Sequence, residues 1–260
     1  MPELPEVESA TRRLRDAMVG RVVQRVETLH ASTRRALPDD AAARVAGRAV
    51  RAVERVGKHQ WIRLDDGSAL HAHFRMAGDW AMSTADAPPP AHARALLLLD
   101  DGVRVALVDP RALATLQWRG ADVAPPALGP DALDPAWDAD ALGRALHGRR
   151  LAIKPALLDQ RIVAGVGNIY AAEALWRARL DPRVSAAALG PGRRARVVEG
   201  VRTVLRDALD APGRYQDGEA LERLAVYGRA GEPCARCGAR VRRIVQAGRS
   251  TYFCPGCQGR

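Results

Sequence analysis

The stretch APPALGPDALDP, Ala124 to Pro135, decides how the rest of this chain is read. Its prolines fix φ and lack an amide donor, so the stretch suits neither a helix interior nor a central strand. Before it, hydrophobic residues recur as they do in strands; after it, as they do in helices. Upstream lie GRVVQRVETL (20–29), RAVRAVERV (48–56), HQWIRLD (59–65), SALHAHF (68–74), ARALLLLD (93–100) and GVRVALVD (102–109). Two of the breaks between them are Asp66-Gly67 and Asp101-Gly102, dipeptides whose glycine accepts the positive φ of a hairpin turn. Antiparallel hairpins of this kind predict a β-sandwich or flattened barrel. TADAPPPAHA, around Pro88 to Pro90, predicts an exposed loop between strands. Downstream, WDADALGRALHG, IKPALLDQRIV, NIYAAEALWRARL and GRRARVVEGVRTVLRDAL predict helices.

Ahead of the strands, Leu4, Val7, Thr11, Leu14 and Met18 fall near helical spacing. Glu3, Glu6 and Glu8 open that segment, and Arg12, Arg13 and Arg15 follow, the order that complements a helix dipole. The expected fold class is therefore α+β. A β domain with a leading helix spans 1–125, a helical domain 126–225 and a small cysteine-bearing module 226–260.

The net charge of +10 points to a polyanion as partner. No run of 18 apolar residues exists, which argues against a membrane span, and the first thirty residues lack a signal-peptide core. A cytoplasmic, nucleoid-associated location is expected. Of forty basic residues, only Lys58 and Lys154 are lysine. Arg cannot give up its proton near neutral pH, so these two are candidates for work that Arg cannot do.

All four cysteines lie in the tail, as Cys234-x2-Cys237, sixteen residues, then Cys254-x2-Cys257. Two such knuckles match a four-thiolate tetrahedral zinc site with no open ligand position, hence a structural metal. Disulfides are disfavoured in a cytosolic chain, and neither pair has the βαβ context of a redox motif. Around the knuckles lie Arg229, Arg236, Arg240, Arg242, Arg243, Arg249 and Arg260, against Glu232 alone. A zinc-pinned hairpin studded with Arg suits a nucleic-acid reader, and Arg249, at the expected tip, is the foremost phosphate contact. LLDQRIVAGVGNIYAAEALW (157–176) reads as helix, glycine turn, helix. Asn168 is the expected N-cap and Asp181-Pro182 the expected stop. Gly165 and Gly167 would let a helix amino end approach a phosphate closely, although many helix pairs with such a turn are purely structural.

Taken together, MPELPEVE, VGKHQW, AGVGNIYAAEALW, VYGRAGEPC and the four-cysteine tail resemble the formamidopyrimidine-DNA glycosylase / endonuclease VIII family, in order from Pro2 to Cys257. The resemblance implies an N-terminal β-sandwich with a leading helix, a helix–two-turn–helix domain and a zinc finger, with DNA in the cleft between domains. It implies that Pro2 is the nucleophile once Met1 is removed. An α-amino group titrates near about 7.7–8.0 against about 10.4 for Lys, so more of it is unprotonated and nucleophilic at neutral pH. Attack of this secondary amine at C1′ expels the damaged base, and the resulting iminium acidifies C2′ and eliminates the strand phosphates. By the same resemblance Glu3 is the general acid/base and Glu6 a supporting acid. Lys58 reaches the lesion-flanking phosphate. Lys154 contacts DNA, and Asn168 holds a phosphate at the turn. HFRMAG supplies Met76 to fill the gap left by a flipped base, and DPR supplies Arg111 to face the orphaned partner.

Three departures bear on the lesion. Leu113 stands where the guanine-lesion branch typically has Phe, and Arg75 replaces a Gly beside Met76. The segment DAPGRYQDGEALERLA (210–225) is too short for that branch's lesion-capping loop. The N-terminus is closer to the formamidopyrimidine branch, while the short loop and missing Phe resemble endonuclease VIII. The expected activity is that of a bifunctional DNA glycosylase and AP lyase on duplex DNA carrying oxidised bases, of formamidopyrimidine or 8-oxoguanine type, or abasic sites. Specificity for oxidised pyrimidines, or a non-catalytic zinc-ribbon DNA-binding protein on the same scaffold, are the alternatives; an RNA-binding zinc protein has charge alone in its favour. A monomer is expected.

Overall fold

The structure, a computed structural model, describes residues 1–121, 126–211 and 223–259. The boundary stretch in part, most of the short segment before Val226, and Arg260 lie outside them. Two compact units emerge: Met1–Pro2 with Glu6–Pro126, and Glu3–Pro5 with Ala127–Arg260.

Helix α1 (Leu4–Met18) carries Glu6 in its first turn and Arg15 in its last. Its apolar stripe Val7, Ala10, Leu14 and Met18 is fully buried, and so is Thr11. Eight strands among the described residues join in one antiparallel order: β1 (Val22–Thr28), β2 (Arg48–Val56), β3 (His59–Leu64), β4 (Ala69–His73), β5 (Asp79–Thr84), β6 (Ala93–Leu99), β7 (Val103–Val108) and β8 (Thr115–Arg119). The order is β5-β7-β6-β1-β2-β3-β4-β8. Its halves meet through two residue pairs only, Val22 with Ala49 and Val23 with Arg48. One hydrophobic cluster nevertheless draws on Val23, Leu97 and Leu107 from one half, Val53, Ile62 and Leu70 from the other, and α1. That shared core is what a two-layered sheet requires. Asp66-Gly67 and Asp101-Gly102 do form the β3–β4 and β6–β7 turns, with glycine φ of 83° and 80°.

Strands β5 and β8 had no reading in the sequence. They end the sheet order, and edge strands need no continuous apolar run. Two short helices, α2 (Ala31–Ala36) and α3 (Asp39–Val45), were also unread. His30 caps α2 by accepting from the Ser32 amide.

The second unit holds α4 (Ala139–Leu146), α5 (Ile153–Leu158), α6 (Asn168–Arg177) and α7 (Pro191–Asp210). Trp137, Leu142, Leu157, Val166, Leu175, Val201 and Leu205 form its core with Leu4. Helix α6 stops at Arg177, earlier than Asp181-Pro182, because Arg179 turns left-handed at φ 54°. The Asp181 carboxylate accepts instead from the Arg183 amide and guanidinium. The tail is a hairpin of β9 (Arg242–Gln246) and β10 (Arg249–Phe253). Ala247 and Gly248 turn it with φ of 47° and 73°, as a two-residue type I′ turn demands.

Candidate functional site

Glu3 is 2% exposed and sits at the amino end of α6. Its carboxylate accepts from the amides of Ile169 (2.9 Å) and Tyr170 (3.3 Å), at the positive end of the helix dipole. The glycines of the preceding turn create this seat. A Cβ on Gly167 would lie 2.2 Å from Glu3 Cδ, and one on Gly165, whose φ is 100°, would lie 2.5 Å from Leu4 Cδ1. The space that the sequence reading reserved for a phosphate is thus filled by the chain's own residues. The N-cap of α6 is Gly167, not Asn168: the Glu3 carboxylate already serves the first-turn amides, and the Asn168 side chain is bonded elsewhere.

Lys154 is fully buried. Its three ammonium protons go to Asn168 Oδ1 (2.5 Å), Ser250 O (3.1 Å) and Thr251 Oγ1 (2.9 Å). Asn168 Nδ2 also donates to Ser250 O at 3.1 Å. Burial pulls the ammonium down to about 8, with Glu3 opposing the shift and Arg249 adding to it. The group stays mostly charged at neutral pH and ties α5 to α6 and β10. Arg249 lies beside the turn, paired with Gln246 and exposed. Glu173, which the sequence reading passed over, is buried, and its carboxylate accepts from the amides of Ala225, Val226 and Tyr227. Burial raises its pKa against those three donors. It anchors the start of the tail to α6.

The four cysteine Sγ atoms lie within 4.8 Å of one another, with Cys237 and Cys254 at 3.3 Å and Cys234 and Cys257 at 3.9 Å. A tetrahedron of sulfurs about 2.3 Å from zinc has edges of about 3.8 Å, so the thiolates fit that ion. Trp176 Nε1 donates to Cys234 Sγ at 3.4 Å, and the Arg236 guanidinium lies over the Trp176 ring at 3.8 Å. These contacts seat the metal module on α6.

In the first unit, Pro2 is buried, and so are Lys58 and Glu6, each 6% exposed. Met76 and Leu113 are 40% and 46% exposed, and Arg111 is exposed. Beside Lys58 is a group of histidines that sequence reasoning missed. His59 and His71 stack, with Nδ1 and Nε2 2.8 Å apart. His73 meets His59 edge-on, and Trp61 stacks on His71. The i, i+2 spacing of His71 and His73 and the Asp66-Gly67 turn between β3 and β4 were visible, but the register that sets His59 opposite His73 was not.

Burial holds His59 and His71 at about 4 and His73 at about 3, and neighbouring charges add to this: Arg75 and Lys58 at His59; His59, Arg119 and Arg75 at His71; and His59, Arg75, His71 and Lys58 at His73. The unfolded value is about 6.5. The unfolded chain therefore binds more protons between about pH 3 and 6.5. Their contribution to stability is present above pH 6.5 and is lost as pH falls toward 3. The urea midpoint is expected to be lower at pH 5 than at pH 7.5, by less in a His71→Gln variant. Equal drops in both proteins would clear the histidines of the effect.

The sequence matches the formamidopyrimidine-DNA glycosylase N-terminal domain over residues 1–116, the H2TH domain of the same proteins over 128–217, and the zinc finger found in FPG and IleRS over 231–259. The chain belongs to the formamidopyrimidine-DNA glycosylase family. A formamidopyrimidine-DNA glycosylase of Roseiflexus sp. is 40% identical over 272 residues, covering 99% of this chain and all of that one. The Lactococcus lactis FPG (MutM) structure with Fapy-dG DNA superposes with a TM-score of 0.91 at 30% identity, over 99% of this chain and all of that one. The same L. lactis protein with oxidised-pyrimidine DNA gives 0.89 at 29% identity, over the whole of both chains. In this formamidopyrimidine-DNA glycosylase family member the four cysteines hold one structural zinc. No helix among the described residues is long and apolar enough to cross a membrane.

Proposed function

We propose that the protein is a bifunctional DNA glycosylase and AP lyase that excises oxidised bases from duplex DNA and cleaves the abasic strand through an iminium at Pro2. The observation that carries the reading is the buried Glu3 carboxylate, next to Pro2 in the chain and fixed by two helix amides. A carboxylate so held is available for proton transfer to the sugar or the base. With Met1 removed, Pro2 offers a secondary amine as nucleophile. Glu6 supports it from the same helix, and Lys58 takes the phosphate beside the lesion. Met76, Arg111 and Leu113 fill and read the vacated base stack. Asn168 and Arg249 take phosphates, and Lys154 acts through the Asn168 side chain and the β10 backbone that it orients. The working division is 1–125, 126–225 and 226–260, and the protein acts on the chromosome in the cytoplasm as a monomer.

Borohydride trapping tests the reading on duplexes carrying 8-oxoguanine, a formamidopyrimidine, an oxidised pyrimidine or an abasic site. A covalent adduct mapped to Pro2 on a damaged base supports it, and the preferred lesion names the branch. An adduct on the abasic site alone leaves a lyase without base excision. No adduct, with Met1 shown absent, leaves a DNA-binding scaffold. Replacing Arg249 by Ala is expected to weaken binding and to flatten the log–log salt dependence by about one unit, the signature of one lost phosphate contact. Titrations at several salt concentrations read the slope, and an unchanged slope would remove Arg249 from the contacts.

A further inference from the structure

Two exposed apolar side chains, Met76 and Leu113, each follow a residue in the left-handed region, Arg75 at φ 54° and Ala112 at φ 53°. Exposed loop tips are ordinarily the loosest parts of a fold. These two are clamped.

The clamp on Leu113 is Asp109, which is fully buried. Its carboxylate accepts from the amides of Arg111 (3.0 Å), Leu113 (2.7 Å) and Ala114 (2.7 Å), and its carbonyl accepts from the amide of Ala112 (3.1 Å). Pro110 has no amide proton, so every N–H from 110 to 114 ends on this one residue. The carbonyls are held from outside. Arg94 donates to Asp109 O (2.7 Å) and Pro110 O (3.3 Å), and Ser32 Oγ donates to Ala112 O (3.1 Å). The turn under Met76 is closed by Gly78 N to Phe74 O and Arg75 N to His73 Nδ1, both 3.0 Å. Gly78 also joins the two loops. A Cβ there would lie 2.8 Å from Phe74 O and 3.0 Å from Ala114 Cβ, so the turn and the loop touch where any larger residue would push them apart.

We infer that Asp109 is the positioning residue of a two-tipped wedge, Met76 and Leu113, whose spacing is set by the Gly78–Ala114 contact. The inference rests on the base-extruding activity proposed above. A wedge driven into a base stack must meet the resistance of stacking, and a tip ordered in advance loses none of its binding free energy to its own ordering. Leu113, lacking the flat face with which an aromatic ring could stack, depends on its backbone for direction.

The test uses the full chain and a duplex with 2-aminopurine beside the lesion, whose fluorescence rises as the stack opens. Asp109→Asn is expected to slow both that rise and single-turnover base excision by about tenfold or more, because a misplacement near 1 Å can cost about a hundredfold. Cleavage of a preformed abasic site, where no base has to be expelled, is expected to fall by a smaller factor. Ser32→Ala, a milder change that keeps the fold if Asp109→Asn does not, is expected to move the same readouts in the same direction. Equal losses on both substrates with an unchanged fluorescence rate would overturn the inference, as would wild-type behaviour of both variants. Leu113→Gly separates the two levels: an unaltered fluorescence rise in that variant, with trapping at Pro2 intact, removes the wedge while leaving the enzyme.

Discussion

Pro2→Gly, prepared with Met1 removed, is expected to lose base excision by on the order of a hundredfold or more, the scale on which chemical groups acting at a reaction centre are worth. Glycine keeps a terminal amine, so the comparison isolates the ring. Condensation of a secondary amine with a sugar aldehyde gives an iminium with a fixed positive charge. A primary amine gives an imine that must hold a proton to do the same work. The ring also ties the nitrogen back to its own Cα, so the amine cannot turn about the N–Cα bond, and the next residue, Glu3, is itself held by Ile169 and Tyr170. DNA affinity is expected to stay near wild type, because phosphate contacts supply much of it. Single-turnover excision and borohydride trapping read the first effect, and equilibrium titration the second. Excision near the wild-type rate would show that another group attacks C1′. A second variant that retains Met1 converts the amine to an amide and is expected to abolish trapping altogether.

Removing the zinc is expected to have the second large effect. The hydrophobic cluster of the tail is small: Val226, Val241, Cys234 and Cys254 with Ala172 of α6. A two-stranded hairpin with so little core does not stand alone, whereas structural zinc sites contribute about 10–16 kcal/mol of apparent binding free energy to folding. Chelation is expected to release β9 and β10 and to separate the Tyr227 and Tyr252 rings, now 5.0 Å apart edge to face. The damage reaches further, because Ser250 O and Thr251 Oγ1 are two of the three acceptors of the buried Lys154 ammonium. Without them a charge remains inside with Asn168 as its remaining partner, a costly state. Tight DNA binding is expected to disappear with the metal. Zinc content measured beside DNA affinity decides the matter, and undiminished binding by verified metal-free protein would refute the claim.

The parts of this molecule that were legible in its sequence are those whose physics is local. The stripe from Val7 to Met18, the Asp-Gly turns and the paired cysteine knuckles each carry their signal within a few residues. Lys154 shows the opposite case. Its presence among so many arginines was conspicuous, but its partners Ser250 and Thr251 lie almost a hundred positions away, and only the fold discloses that its charge is buried. Gly165 and Gly167 were rightly seen as making room, yet the occupant came from the far end of the chain. Asp109 was more accessible. An Asp before Pro that bonds amides two, four and five residues on is a local motif, contained within six residues beside Arg111. Strands β5 and β8 were invisible because a sheet edge asks little of its residues.

Both lysines of the chain are buried, Lys154 completely and Lys58 to within 6%. The surface thus presents arginine guanidinium groups, which acylating reagents do not attack under mild conditions, and no side-chain amine in the open. Pro2 is buried while Met1 stands before it; removal of Met1 is expected to open its α-nitrogen to such a reagent while both lysine amines stay covered. The extent of its acylation would count competent active sites directly, and protection by a bound duplex would report occupancy without labelling the DNA.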